Sequence, residues 1–187
     1  MAELADALGS GPSTRKGVQV QVLSAGPTKK GENMSDIVVK IDGIIRRPSA
    51  EVAAQFADFN YHSKNNVHPG IKFTVHETDK NKSRFRQEVV LVGMKQVDEV
   101  VNTIQSESKM RTQVISGSNK DLSIDFTFEP QGPQSTKVNA IFTMKAKGIK
   151  RLLAPLFKIA IKKTALKALD EDRKDLESGR YAKSIAQ

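Results

Sequence analysis

The middle of the chain consists of segments in which apolar and polar residues alternate. This period of two is typical of strands with one face buried and the other in water. One such segment covers residues 37–45 and ends before Pro48, which cannot donate to a ladder. About six further strands follow between residues 71 and 147, separated by turn-forming residues. Such a succession of hairpins predicts an antiparallel sheet with one wet face.

Residues 95–105 fit two patterns. Val97, Val100, Val101 and Ile104 match a helical spacing as well as a strand. The valine content and the neighbouring segments favour a strand that contains a bulge.

A short helix is predicted after the first strand. Ser49 is a suitable N-cap, and Val52, Phe56 and Phe59 form one apolar face of a helix that runs to about residue 60. Residues 61–70 are polar and end in Pro69-Gly70, so they predict a loop with room for one helical turn.

A long amphipathic helix is predicted over residues 148–177. An apolar sheet face must be covered, and this helix is the large cover that the pattern offers. Pro155 predicts either a start after that residue or a kink there. We expect residues 149–160 to form the floor of a space beneath the sheet, and the acidic end, from Asp170 to Glu177, to be solvated.

Length and composition limit the number of domains and the kinds of chemistry that the chain can support. A length of 187 residues predicts one domain, over 36–178, and the absence of cysteine excludes disulfides, thiolate nucleophiles and cysteine-ligated metals. Residues 1–35 have a linker composition and predict a flexible leader, in which the alternating stretch 18–23 fits either an edge strand or disordered chain. Residues 179–187 are predicted to be a tail. With no signal or membrane-spanning pattern, we expect a soluble, cytoplasmic monomer.

The net charge of +9 predicts attraction to anionic surfaces. The absence of tryptophan and the presence of only two tyrosines argue against nucleic acid. The basic half of the last helix is either a solvated face or a contact for anionic lipid. The residues of this possible surface contact are Lys150, Arg151, Lys158, Lys162, Lys163 and Lys167.

The order of these elements resembles the START-like or Bet v 1-like (SRPBCC) helix-grip superfamily, and within it the polyketide cyclase/dehydrase and lipid-transport branch. The resemblance rests on the opening segment from Ile41 to Ala50 (IDGIIRRPSA), which leads into residues 52–56, and on the closing segment from Gly148. It covers about residues 35–178 and implies an α+β fold. In this fold a seven-stranded curved antiparallel sheet wraps around the C-terminal helix, leaving a cavity for a lipophilic molecule.

One feature departs from the family pattern. Many relatives have a tryptophan and a Pro-Gly pair after the first helix, whereas this chain has Pro69-Gly70 and no tryptophan. We therefore expect a different cavity entrance.

The inward positions of the strands and of the last helix supply the predicted ligand-binding residues. These are Phe73, Phe85, Gln87, Val89, Leu91, Met110, Thr112, Val114, Phe126, Phe128, Phe142, Met144, Leu153 and Phe157. Glu99 is a further candidate polar group and Ala160 a further apolar one. Each of these residues could instead fill a core at native packing density.

No catalytic residue, metal ligand or cofactor is predicted. His76 is expected to point to solvent, and His62 and His68 are six residues apart in a predicted loop, without the spacing of a helical metal pair. The leading hypothesis is a carrier of a hydrophobic small molecule or lipid. The alternatives are a cyclase or dehydratase, which requires histidines or acids in the cavity, and a protein-interaction domain with an apolar patch near Ile115 or Ile141.

Overall fold

A single antiparallel sheet dominates the computed structural model, which describes residues 36–91, 93–146 and 152–186. Its strands are β1 (Asp36–Ile45), β2 (Ile71–Asp79), β3 (Lys82–Leu91), β4 (Met94–Ser106), β5 (Lys109–Gly117), β6 (Ser123–Gly132) and β7 (Ser135–Lys145). They lie in the order β1-β7-β6-β5-β4-β3-β2, so the first two strands form opposite edges. The strand prediction is confirmed.

Alternation along each strand places one set of side chains on the inner face of the sheet. In β1, Ile37, Val39 and Ile41 are buried and their neighbours face outward. β4 is one strand through the ambiguous segment, and its register with β5 shifts between Glu99 and Val100. The expectation of a bulged strand is therefore confirmed.

Two helices connect the opposite edges of the sheet. They are α1 (Ser49–Ala57) and α2 (Phe59–Asn65). α1 begins one residue earlier than a Ser49 cap would require, because Pro48 is the N-cap. The predicted loop left room for one helical turn, and α2 occupies that place: the Asp58 carboxylate accepts a hydrogen bond from the Tyr61 N–H at 2.9 Å and caps α2.

The long C-terminal helix, α3 (Ala154–Glu177), covers the inner face of the sheet. Phe157, Ile161, Ala165 and Leu169 recur every fourth residue and are buried, as a stripe facing a sheet requires. Pro155 lies in the first turn, where its missing N–H breaks no helical hydrogen bond, so the helix begins before it. The expected start at residue 148 lies outside the described residues.

The acidic end of α3 differs from its prediction. Asp172 and Asp175 are 5% and 0% exposed rather than solvated. The predicted tail contains a further helix, α4 (Arg180–Ile185), whose Tyr181 is buried. Charged side chains on this part of α3 therefore face partners inside the protein.

The predicted leader, residues 1–35, lies outside the described residues. The division of the chain into leader, domain and tail stays a prediction. In the described ranges, no helix combines the length and the apolar character that crossing a membrane requires.

Candidate functional site

A cavity of about 160 Å³ lies between the sheet and α3. Most of its wall is aromatic or aliphatic. From α3 it receives Ile161, Thr164, Ala165, Ala168, Leu169 and Asp172. The cavity therefore lies beside the middle of the helix and not beside its first turns.

Nine of the predicted ligand-binding residues line this cavity. They are Phe73, Phe85, Gln87, Val89, Leu91, Met110, Thr112, Phe126 and Phe142. Thr112 also donates a hydrogen bond from its hydroxyl to the Asn102 amide oxygen at 2.9 Å. Ligand binding by these residues stays a prediction.

Five of the predicted residues lie outside the cavity wall. These are Val114, Phe128, Met144, Leu153 and Phe157. Val114, Phe128, Met144 and Phe157 are buried in the core, and the Phe128 ring lies 5.4 Å from the Phe56 ring. Leu153 precedes α3, and Ala160 also lies outside the wall. Residues 152–160 of the expected floor do not line the cavity, because it lies farther along the helix, and residues 149–151 lie outside the described residues.

Glu99 also lies outside the cavity wall. It is on the outer face of β4, where its carboxylate is 3.4 Å from His76 Nε2 and 4.0 Å from Arg84 Nε. His76 is exposed, as expected.

Polar side chains gather at one end of the cavity, where α2 and the following turn face α3. His62, His68 and Asp172 all border the cavity and are 4%, 6% and 5% exposed. The two imidazole rings lie 5.0 Å apart. Their Nε2 atoms are 3.3 Å and 3.2 Å from the same Asp172 Oδ1. His62 and His68 therefore lie together although they are six residues apart. His62 is in α2 and not in the predicted loop, α2 turns it inward with Phe59, and the turn after α2 returns His68 to the same place.

Two more residues hold this group. Glu171 Oε2 lies 3.1 Å from His68 Nδ1, and the Gln55 amide donates to Asp172 Oδ1 at 3.3 Å. Phe73 stands at 6.1 Å and 6.0 Å from the His62 and His68 rings, so the polar group has an aromatic wall.

The pKa shifts of His68 and Asp172 favour a positive charge on the imidazole and a negative charge on the carboxylate. Burial by itself would lower the pKa of His68, but the carboxylates of Asp172 and Glu171 outweigh it and the pKa is raised. Burial would raise the pKa of Asp172, but the charge of His68 and the nearby imidazole nitrogens lower it to about 2. Asp172 is consequently an anion at neutral pH.

Sequence reasoning missed these groups, although two signals were present. Asp172 continues the buried stripe of α3, three residues after Leu169. Acidic residues are almost never buried unless they are paired, so an acid on an apolar stripe indicates a buried partner. His62 follows Phe59 by three residues, on the same face of α2.

The basic side chains of α3 lie on its outer surface. Lys158, Lys163 and Lys167 are exposed and Lys162 is half-buried, whereas Lys150 and Arg151 lie outside the described residues. Lys167 is near Glu171, with Nζ 3.7 Å from Oε1.

No protein-family model and no curated protein sequence matches this chain. Solved structures match it across three quarters of its length. TTHA0849 from Thermus thermophilus has a TM-score of 0.68 at 16% identity, with 76% of this chain and 98% of that chain covered. A START superfamily protein from Mycobacterium smegmatis has a TM-score of 0.57 at 19% identity, with 78% and 97% covered.

The chain has the START-like helix-grip fold. The ZhuI aromatase/cyclase from Streptomyces sp. R1128 has the same fold, with a TM-score of 0.65 at 11% identity and with 77% and 95% of the two chains covered. In this helix-grip fold the seven-stranded sheet and the C-terminal helix enclose the cavity that His62, His68 and Asp172 border.

Proposed function

We propose that this protein binds a small, largely apolar molecule in the cavity between the sheet and α3. The observation that carries the proposal is an aromatic and aliphatic cavity with a compact polar group at one end, the arrangement common in small-molecule sites. The START-like and aromatase/cyclase proteins of the same fold support a ligand-binding role.

The cavity limits the size of the ligand. Its volume of about 160 Å³ is well below that of a drug-sized pocket, which begins at about 300 Å³. A dry cavity of about 150 Å³ accommodates a single benzene ring. A ligand of one or two rings is therefore favoured over a long lipid chain, which would need the walls to move apart.

Substitution of Ala165 tests this proposal, because its small side chain lines the cavity from α3. We expect indole to bind the unmodified protein and to raise its melting temperature, since binding to the folded state alone stabilises it. Ala165→Leu should fill part of the cavity and weaken indole binding at least about tenfold, a loss of about 1.4 kcal/mol. Calorimetric titration of indole measures both affinities.

Ala160→Leu is the matched control, because Ala160 is on the same helix and outside the cavity wall. It should leave indole affinity unchanged. Equal affinity in both variants, or no indole binding by a folded unmodified protein, would count against the cavity as the site.

Catalysis of the cyclase or dehydratase kind is a second candidate. That alternative required histidines or acids in the cavity wall, and His62, His68 and Asp172 are there. A buried imidazole next to a carboxylate is a suitable general acid or base. An enzyme would lose turnover when His68 is replaced, whereas a carrier would retain bound ligand.

We also infer that the outer face of α3 contacts anionic membrane surfaces. Leu156 and Ile159 are 51% and 66% exposed, and Lys163 follows on the same face. Apolar side chains flanked by lysines are typical of helices that lie on a lipid surface. An interaction site on the outer sheet has less support, because Ile141 is next to Asp125, which pairs with Arg111 at 3.6 Å.

A further inference from the structure

The polar end of the cavity contains more nitrogen atoms than its carboxylate can satisfy by hydrogen bonds. Gln55 Nε2, His62 Nε2 and His68 Nε2 all lie 3.2–3.3 Å from one oxygen, Asp172 Oδ1. A carboxylate oxygen offers about two lone-pair directions. Three nitrogen neighbours at a single oxygen therefore exceed its ordinary hydrogen-bond capacity.

The side chain of His62 lacks a well-formed hydrogen bond to the described residues. It is 4% exposed, its Nδ1 has no partner among them, and its Nε2 has only the 3.3 Å contact with Asp172 Oδ1, which does not meet hydrogen-bond geometry. A buried polar atom that lacks a partner destabilises the folded state. A metal ion among the three groups would replace the proton that otherwise lies between His68 and Asp172, and it would also give His62 Nε2 a partner.

The distances match those around a bound metal ion. Ligand atoms that lie about 2.1 Å from a tetrahedral metal ion are about 3.4 Å from one another. The two imidazole nitrogens lie 3.3 Å and 3.2 Å from Asp172 Oδ1, and all three ligand atoms fall within 4.8 Å of one another. We propose that His62, His68 and Asp172 bind a divalent transition metal ion at the end of the cavity.

Glu171 supplies the outer carboxylate that such a site requires. Histidines that bind metals usually donate their second ring N–H to a carboxylate or carbonyl, which fixes the ring and leaves the other nitrogen for the metal. Glu171 Oε2 lies 3.1 Å from His68 Nδ1, so Nε2 of that ring points to the proposed metal position. Glu171 is therefore a positioning residue for His68.

The ligand set narrows the choice of metal. Two imidazoles and one carboxylate suit zinc and ferrous iron, whereas magnesium and calcium prefer oxygen ligands alone. Three protein ligands also leave at least one coordination position. Because all three residues border the cavity, that position is accessible to a molecule bound there.

Metal titration of the whole chain, purified without a polyhistidine tag and stripped with a chelator, tests the proposal. We expect Co²⁺ alone to bind at one equivalent and to produce a visible d–d absorption band, and Zn²⁺ to displace it. His62→Gln and Asp172→Asn should abolish the band. Glu171→Gln should weaken Co²⁺ binding about 10–100-fold while keeping the band, as expected for an outer partner.

His76→Gln is the matched control, because His76 is the third histidine of the chain and lies on the outer face beside Glu99. It should bind Co²⁺ with unchanged affinity, and circular dichroism should show that every variant is folded. If His62→Gln or Asp172→Asn fails to fold, Glu171→Gln and the unmodified protein still test whether the metal site exists.

Two results would overturn the proposal. One is the absence of saturable Co²⁺ binding by the folded chain, and the other is a loss of Co²⁺ affinity in His76→Gln equal to that in Glu171→Gln. Indole binding uses no metal, so its failure and the failure of this site are separate results.

Discussion

At Gly117 the backbone leaves no space for a side chain. Its φ is +112°, and a Cβ atom there would lie 2.3 Å from the Val97 carbonyl oxygen and 2.7 Å from Asp98 Cα. The neighbouring Asp98 carboxylate accepts hydrogen bonds from the backbone and side-chain N–H groups of Asn119, both at 2.7 Å. The turn between β5 and β6 is thereby held against the bulge of β4.

We expect Gly117→Ala to lower the free energy of unfolding by about 3 kcal/mol or more, because the methyl group meets backbone atoms in a conformation already unfavourable for alanine. Urea unfolding measures this loss. Gly93→Ala is the control: Gly93 has a φ of +72°, and its Cβ would meet nothing within 4 Å. Only the backbone strain of about 1 kcal/mol applies there. Equal losses in the two variants would show that close packing at Gly117 contributes nothing.

Single residues also show why part of the candidate site escapes sequence reasoning. Alternation places Phe85 and Met110 on the inner face without any knowledge of their partners. The contact of His62 with Asp172 joins residues 110 positions apart, and it depends on α2, whose cap at Asp58 was not recognised in the sequence. A predicted loop could not direct the two histidines inward.

At the scale of elements, the fold was predictable because each strand and α3 has its own period. Residues 122–129, which include most of β6, alternate between apolar and polar side chains, and the buried stripe of α3 returns every fourth residue. The position of the cavity along α3 was not predictable from this pattern, because Phe157 and Ala165 lie on one stripe and only Ala165 leaves space beneath the sheet. Side-chain volume, and not periodicity, determines where a cavity remains.

The outer face of α3 leads to a prediction about membranes. Replacing Lys163 and Lys167 by glutamate should weaken binding to phosphatidylserine vesicles by at least about 2 kcal/mol, or about 30-fold, because both are exposed on this face and each basic residue near such a surface contributes about 1 kcal/mol. Vesicle flotation measures the bound fraction, and added salt should reduce it.

The control carries the same charge change on a different element. Lys72→Glu with Lys109→Glu alters exposed lysines of the sheet. This variant should lose less affinity than the α3 variant. Equal losses would indicate that net charge alone determines binding, and equal binding of the unmodified protein to neutral vesicles would refute the surface contact.

At the scale of the whole molecule, hydrogen bonds and an ion pair join the end of α3 to three other parts of the chain. Arg47 donates to the Leu176 and Glu177 carbonyl oxygens at 2.9 Å and 3.1 Å, which joins the end of β1 to the last turn of α3. The buried Asp175 accepts a hydrogen bond from the Tyr61 hydroxyl at 3.0 Å and pairs with Arg180 Nη2 at 2.6 Å. α2, α3 and α4 therefore meet at one carboxylate.

Ionisation of Tyr181 is expected to lower the free energy of unfolding at alkaline pH. Burial, followed by the charges of Asp58 and Glu51, raises the pKa of Tyr181 to about 12, and its ring packs at 4.9 Å against that of Tyr61. In the unfolded chain the tyrosine pKa is about 10. Below pH 10 both states hold the proton and the stability is complete. As the pH rises from 10 toward 12, the unfolded state loses its proton first, so the free energy of unfolding falls, by about 2 kcal/mol near pH 12.

The chain contains two tyrosines and no tryptophan, so tyrosinate absorbance reports on this junction directly. In Tyr61→Phe, Tyr181 is the remaining tyrosine, and its absorbance should rise with a midpoint near pH 12 while the protein is folded and near pH 10 in urea. Tyr181→Phe should lose less stability than the unmodified protein between pH 10 and pH 12, because lysine titration is common to both and only the tyrosine contribution differs. A midpoint near pH 10 in the folded Tyr61→Phe protein would mean that the Tyr181 hydroxyl is solvated and that α4 is not packed against α2.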